Sequence, residues 1–531
     1  MRILEARKAT GVLGREKLDN SNVRNDEVNQ DGEITSNARS TGQDAFDMRK
    51  LGVRQETKLH SFFTTAFVNG GGVSMIYGYI VAFFGALATC ASMAEMASMY
   101  PISGGQYHWV ALLAPRKHAK FLSWLTGWLS TLGWQGGAAT GTYLGGLIIQ
   151  SMVALNNPSY VPARWQGTLI LYAVLLLTLF VNTVLVRILP GLEGLILILH
   201  VVGFFAIMIP VVYLAPISDN AFVWTEFNNS FSGYQSAGLS WLIGQSASAI
   251  LFIGYDGACH MAEEVRDAAL NVRLHGHVLL DTLLTLIQVP RAMFFTIFIN
   301  GAMGFATYIF MLYSFGDPEK ALTSKYGLPF IEIFYNATQS KAGTTAMISL
   351  LVTLYIAATF GFVASASRQA WAFSRDNGLP MSHIWRRVDS RWQIPIYTLA
   401  LTGVVNALLG LINIGSSVAF NAIVSLVVSA YLSSYFIPIV LMIRKRIKKE
   451  PIKLGPWNLG RYGLPINIVA AIYTLVTVVF TFFPPAVPVN AQTMNYSCAV
   501  YGGVVMLGLV YYGVWGRKKF VGPSTELDIE I

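Results

Sequence analysis

Val73-Ser-Met-Ile-Tyr-Gly-Tyr-Ile-Val-Ala-Phe-Phe-Gly-Ala-Leu-Ala-Thr-Cys-Ala-Ser-Met-Ala-Glu-Met-Ala-Ser-Met99 carries one charged side chain, Glu95. As an α-helix rising about 1.5 Å per residue, it is longer than the roughly 30 Å of hydrocarbon in a bilayer. A soluble core does not need such a run, and this chain repeats it. Further apolar runs occupy Phe121–Leu155, Thr168–Val186, Leu192–Ala215, Leu239–Ala262, Met293–Phe315, Thr344–Phe373, Ile394–Ile414, Val418–Ile443, Leu464–Phe483 and Tyr496–Trp515. Together they predict about eleven membrane spans. Of 531 residues, 54% are apolar and 12% charged, against about 25% charged in a soluble protein. The expected fold class is all-α and polytopic. It divides into a disordered cytoplasmic tail at 1–60, a transmembrane domain at 61–516 and a cytoplasmic C-terminal tail at 517–531.

The charges orient the spans. Arg116, Lys117 and Lys120 follow the first run, Arg187 the third, and Arg266, Arg273 and Arg291 the fifth. Arg375, Arg386, Arg387 and Arg391 follow the seventh, the block Arg444–Lys449 the ninth, and Arg517–Lys519 the last. Pro216–Ala237 and Pro484–Asn495 contain no Lys or Arg. By the positive-inside rule the basic loops and the C-terminus are cytoplasmic. The net charge of +9 is thus spent on topology, and no aromatic-interleaved basic patch points to nucleic acid. The polar stretch before Lys58 has no apolar segment of the kind a cleavable signal peptide needs. Its Arg49, Lys50, Arg54 and Lys58 conflict with an outside start for the first span. A missing first helix resolves the conflict, with Phe62–Val68 as its remnant; a re-entrant or interfacial stub is the other reading.

Charged and polar groups inside spans are costly and concentrate at functional sites. Glu95 lies near the cytoplasmic end of its span and reads as a cap or an ion-pair partner rather than a proton carrier. Glu193 and His200 read as packing or hydrogen-bonding groups. The fifth span differs, with Gly254 and Gly257 bracketing Tyr255 and Asp256 inside an apolar run. Glycine weakens a helix and Asp bonds local backbone, so Gly254–Gly257 is expected to be a break whose freed backbone faces a solute. Close helix packing with a paired Asp256 is the competing reading. The second span is dense in small residues, from Gly127 to Gly146, which permit close helix approach. Among them Trp134 and Gln135 face either a cavity or a packed neighbour. Cys90, Cys259 and Cys498 are widely spaced, with no metal-ligand or disulfide pattern, and no cofactor is expected. Asn228-Asn-Ser230 and Asn336-Ala-Thr338 match glycosylation acceptors.

Four segments carry a family resemblance. Ala94-Glu-Met-Ala-Ser-Met-Tyr-Pro-Ile-Ser-Gly-Gly-Gln-Tyr-His-Trp109 resembles the second helix and following loop of the amino acid–polyamine–organocation superfamily. Within it, the nearest resemblance is to the fungal amino acid/choline transporter family, which includes GABA and choline permeases. Phe252-Ile-Gly-Tyr-Asp-Gly257 with Glu263-Glu-Val-Arg266 is similar to that family's broken sixth helix, Pro290-Arg-Ala-Met293 to the start of its seventh, and Arg368-Gln-Ala-Trp-Ala-Phe-Ser-Arg-Asp-Asn-Gly-Leu-Pro380 to the segment after its eighth. The resemblance covers roughly Gly52 to Lys519. It implies a LeuT-like fold of twelve helices, two inverted five-helix repeats plus two more. It also implies a solute held between the broken first and sixth helices, with Phe252, Ile253, Gly254, Tyr255, Asp256 and Gly257 as binding residues, and commonly proton-coupled uptake.

The sequence departs from the family twice. The stretch His60–Asn69 is too short for the first helix, and Val272–Gln288 interrupts a run the family reads without a gap. The insert opens on Val, whose codons begin GT, and closes on Gln, whose codon includes CAG, as a retained in-frame intron would. The expected function is a secondary active transporter of an amino acid or related small amine such as GABA or choline, with protons as the coupling ion. The expected site is the plasma membrane, with the vacuolar membrane as a second location. An exporter of a secondary-metabolite amine and a truncated, non-transporting chain are the alternatives. An integral membrane enzyme is disfavoured, because no catalytic cluster or metal-ligand spacing appears.

Overall fold

The computed structural model describes residues 64–523 apart from 187, 262–277, 323, 325, 390–393, 416–418 and 491–493. The expected tail at 1–60 and the first part of the 272–288 insert lie outside the described residues. Among those described there is no strand, and 11 helices are long and apolar enough to cross a membrane.

The elements in chain order are α1 (Gly71–Met99), α2 (Gln106–Leu113), α3 (Arg116–Asn156), α4 (Arg164–Thr183), α5 (Leu189–Leu214) and α6 (Ala237–Ser248). They continue with α7 (Val278–Tyr313), α8 (Pro329–Thr338), α9 (Lys341–Arg375), α10 (Ile396–Gly415), α11 (Ala419–Ile447), α12 (Gly463–Thr481) and α13 (Ser497–Tyr511). Helix α7 begins well before the expected Met293 and runs through Pro290. A pattern recurs: α1 to α5 and α7 to α11 each read long, short, long, long, long. Because an odd number of spans separates their starts, the second set is inverted relative to the first. Equivalent members pack on each other, α1 on α7, α3 on α9 and α4 on α10. These are inverted sets of four spanning helices each among the described residues, where the resemblance implies repeats of five. Residues 64–68 form a short helical segment ahead of α1, where the remnant was expected.

Lipid offers no hydrophobic drive to bring helices together, so close packing has to do it. The pairs meet at small residues. A methyl group on Gly301 or Gly304 of α7 would collide with Phe83 or Tyr79 of α1. On α3, Gly141 leaves room for Thr359 of α9, Gly133 and Gly137 for Tyr431 of α11, and Gly146 for the Leu171 backbone of α4. The glycine-rich second span is thus the centre of the bundle. Large apolar side chains of α5 (Leu195, Ile198, Val202, Ile209) and α13 (Met506, Leu507, Val510) face outward, as a lipid-facing surface requires.

Loop contacts sort the two ends. Ser218 N donates to Tyr313 O (2.7 Å), Val487 N to Ser232 O (2.8 Å) and Tyr234 Oη to Pro484 O (2.7 Å). The two loops without Lys or Arg therefore share one end. At the other, Trp457 N bonds Ser98 Oγ (3.0 Å) and Tyr107 Oη bonds Asp376 Oδ2 (2.8 Å). That end carries the basic blocks, as the charge alternation requires.

Candidate functional site

Helix α6 does not run through. It tightens into a 3₁₀ turn over Ala249–Phe252, leaves helical geometry at Ile253 (φ −101°, ψ 162°), and resumes as a single turn at Gly257–His260. Gly254 sits at φ +87°, a left-handed conformation that glycine reaches without a Cβ penalty. The break falls at Ile253–Asp256, one residue earlier than expected, and Gly257 opens the returning turn.

Asp256 is the polar centre of the break and has no solvent exposure. Its Oδ1 accepts from Tyr435 Oη of α11 (2.5 Å). Its Oδ2 accepts from Gln106 Nε2 of α2 (2.5 Å) and Trp134 Nε1 of α3 (3.1 Å). Gly254 N donates to Tyr435 Oη (3.3 Å), so one hydroxyl joins the broken backbone to the carboxylate. His260 Nε2 lies 3.3 Å from Asp256 Oδ2. That is ion-pair distance, but Nε2 makes no hydrogen bond, and the contact is an ion pair only when the ring is protonated. Among the described residues no Lys or Arg pairs with Asp256.

The loop between α1 and α2 wraps this group. Ser103 O lies 2.7 Å from His260 Nδ1. Gly105, at φ +55°, leaves room for the His260 ring, whose Cε1 a Cβ there would approach to 3.3 Å. A side chain on Gly104 would press on Tyr107. The Ser-Gly-Gly-Gln run therefore lets a carbonyl, a bare backbone and an amide reach the break together. Aromatic rings close the walls: Trp134 meets Tyr431 edge-on at 5.3 Å and Phe362 at 6.1 Å, and Tyr255 meets Tyr435 at 5.2 Å.

The sequence-predicted residues separate. Gly254, Tyr255, Asp256 and Trp134 converge on this centre. Phe252 packs on Tyr79 and Phe83 of α1. Gln135 turns to α10, where its Nε2 bonds Thr402 Oγ1 (3.0 Å). Asn228, whose Oδ1 is taken by Ser230 N and Oγ, and Asn336 on α8 lie at the end poor in basic residues. Sequence reading assigned no role to Gln106, Tyr435 or His260. Gln106 stands inside a quoted motif and His260 between two quoted segments, whereas Tyr435 sits in a plain apolar run.

Glu95 belongs to a different cluster. Arg446 Nη2 of α11 reaches both of its oxygens (2.7 Å each), Leu459 N donates to Oε1 (2.9 Å), and Arg446 Nη1 bonds Asn467 Oδ1 of α12 (2.9 Å). The expected ion-pair role is what the geometry shows.

An amino acid permease family model matches residues 57–504. A chain of Macrophomina phaseolina with the provisional name amino acid/polyamine transporter is 32% identical over 81% of this chain and 92% of its own. A choline transporter of Saccharomyces cerevisiae is 30% identical over 85% of this chain and 77% of its own. An amino-acid permease of Arabidopsis thaliana is 29% identical over 89% and 90%.

Proposed function

This chain belongs to the amino acid permease family, and on that premise we propose that it is a proton-coupled secondary transporter of an amino acid or of a small amine related to GABA or choline. The solute sits at the break Ile253–Asp256. The observation that carries this reading is a buried carboxylate at a broken helix, with no Lys or Arg partner among the described residues. An intact helix satisfies its own backbone and has nothing left for a solute. A broken one presents the carbonyl end of α6, which carries partial negative charge. That end, the Asp256 carboxylate and the faces of Tyr255, Tyr431 and Phe362 form a setting for a cationic nitrogen. Membrane localisation follows from the spans, and the plasma membrane is the proposed site.

Gly254→Leu tests the reading. It places a branched side chain at φ +87° and fills the break. In a host lacking amine and amino acid permeases, uptake of radiolabelled GABA, choline and a mixture of amino acids should vanish while surface expression stays near wild type. Uptake at the wild-type rate in this variant would remove the break from the solute path.

A further inference from the structure

We propose that Asp256 and His260 share one proton, and that this pair, clamped by the α1–α2 loop, is the element that couples proton movement to solute movement. The proposal rests on the transporter reading above and names the proton site within it. Ser103 O can only accept, so His260 Nδ1, 2.7 Å away, carries a hydrogen. In a neutral ring Nε2 is then bare. It stands 3.3 Å from Asp256 Oδ2. If the carboxylate is also ionised, its Oδ2 and the bare Nε2 stand 3.3 Å apart, out of line for a hydrogen bond, in a buried position. A single proton removes the repulsion between them, either on Oδ2 or on Nε2. The remaining donors, Gln106, Trp134 and Tyr435, hold the carboxylate in place but bring no positive charge.

Among the described residues, the other titratable groups around Asp256 are Cys90 of α1, Tyr435 of α11, and Tyr255 and Cys259 of its own segment. Tyr107 of α2 turns away to Asp376. None of these supplies a cation, so His260 is the charge partner. Both oxygens of Asp256 are already engaged by protein donors, so it acts on a solute amine through its charge and keeps the proton for itself. Loss of the proton sets Oδ2 against Nε2 and pushes on Ser103, Gly105 and Gln106. That loop lies at the end rich in Lys and Arg, so the proton leaves toward the cytoplasm.

Two measurements on the full chain in liposomes test this. Infrared difference spectra between acid and alkaline buffer, without solute, should contain a protonated-carboxyl band that Asp256→Asn removes and whose titration His260→Gln displaces. The ratio of proton-gradient-driven uptake to counterflow exchange, read with radiolabelled GABA, choline and an amino acid mixture, should drop to one in both variants. A carboxyl band indifferent to His260, or gradient stimulation that survives in both variants, overturns the proposal. If the wild-type chain exchanges none of the probes, the transporter reading fails, and the infrared titration still decides whether the pair shares a proton.

Discussion

Glu95 and Asp256 are both carboxylates sealed from solvent inside spanning helices, yet they occupy opposite electrostatic settings. Glu95 has a guanidinium on both oxygens and a backbone N–H besides. Its charge is fully answered, and three helices and a loop are tied by it at one end of the bundle. Asp256 has neutral donors and one histidine whose charge depends on a proton. Burial alone therefore does not mark a functional ionisable group. What marks it is burial without a permanent counter-charge, at a place where the backbone is also interrupted.

The largest effect is expected from giving Glu95 the setting of Asp256. Arg446→Met strips its cation and leaves a buried charge, which should cost about 3–5 kcal/mol. Thermal unfolding of the detergent-solubilised chain, followed by size-exclusion, should drop steeply. An unchanged melting curve would mean that Glu95 is not a staple.

A smaller effect is expected at the other carboxylate. Tyr435→Phe removes one hydroxyl that bonds both Gly254 N and Asp256. The loss should be about 1.5–3 kcal/mol, the usual range for a hydrogen bond to a charged group. Solute flux should fall by more than that modest destabilisation explains. A Tyr435→Phe chain that melts like Arg446→Met would erase the distinction between staple and site.

The least disturbing test concerns which end each carboxylate is near. Thr225→Cys, at an exposed position in the loop without Lys or Arg, should leave stability and flux as they are. With the exposed Cys498 changed to Ser, an impermeant thiol reagent should label it on intact cells. Labelling only after permeabilisation would turn the whole bundle over and put Glu95 outside.

Much of this was legible in the sequence. Membrane spans announce themselves because each needs a long apolar run, and the eleven expected correspond to the 11 helices of sufficient length and apolarity among the described residues. The break was legible because two glycines around an aspartate have no place in an uninterrupted span. Its position slipped by a residue because the extended turn at Ile253 depends on what surrounds it, and β-branched Ile gives no such signal. Partners were not legible. Arg446 lies 351 residues from Glu95 and Tyr435 lies 179 from Asp256; no local pattern links positions that only the inverted packing brings together. Trp134 and Gln135 were equal candidates in the sequence. They parted because neighbouring residues on a helix point about 100° apart, by the 3.6-residue turn.

The Tyr435 hydroxyl also acts as a reporter. It receives from the Gly254 amide and gives to Asp256. The shape of the interrupted helix and the ionisation of the carboxylate are therefore registered by one phenol. Straightening the backbone removes its donor, and protonating the acid weakens its acceptor. Each event should move the ring's ultraviolet resonance Raman bands in its own way. The molecule thus contains a native sentinel from which conformation and protonation are read side by side, with no label added.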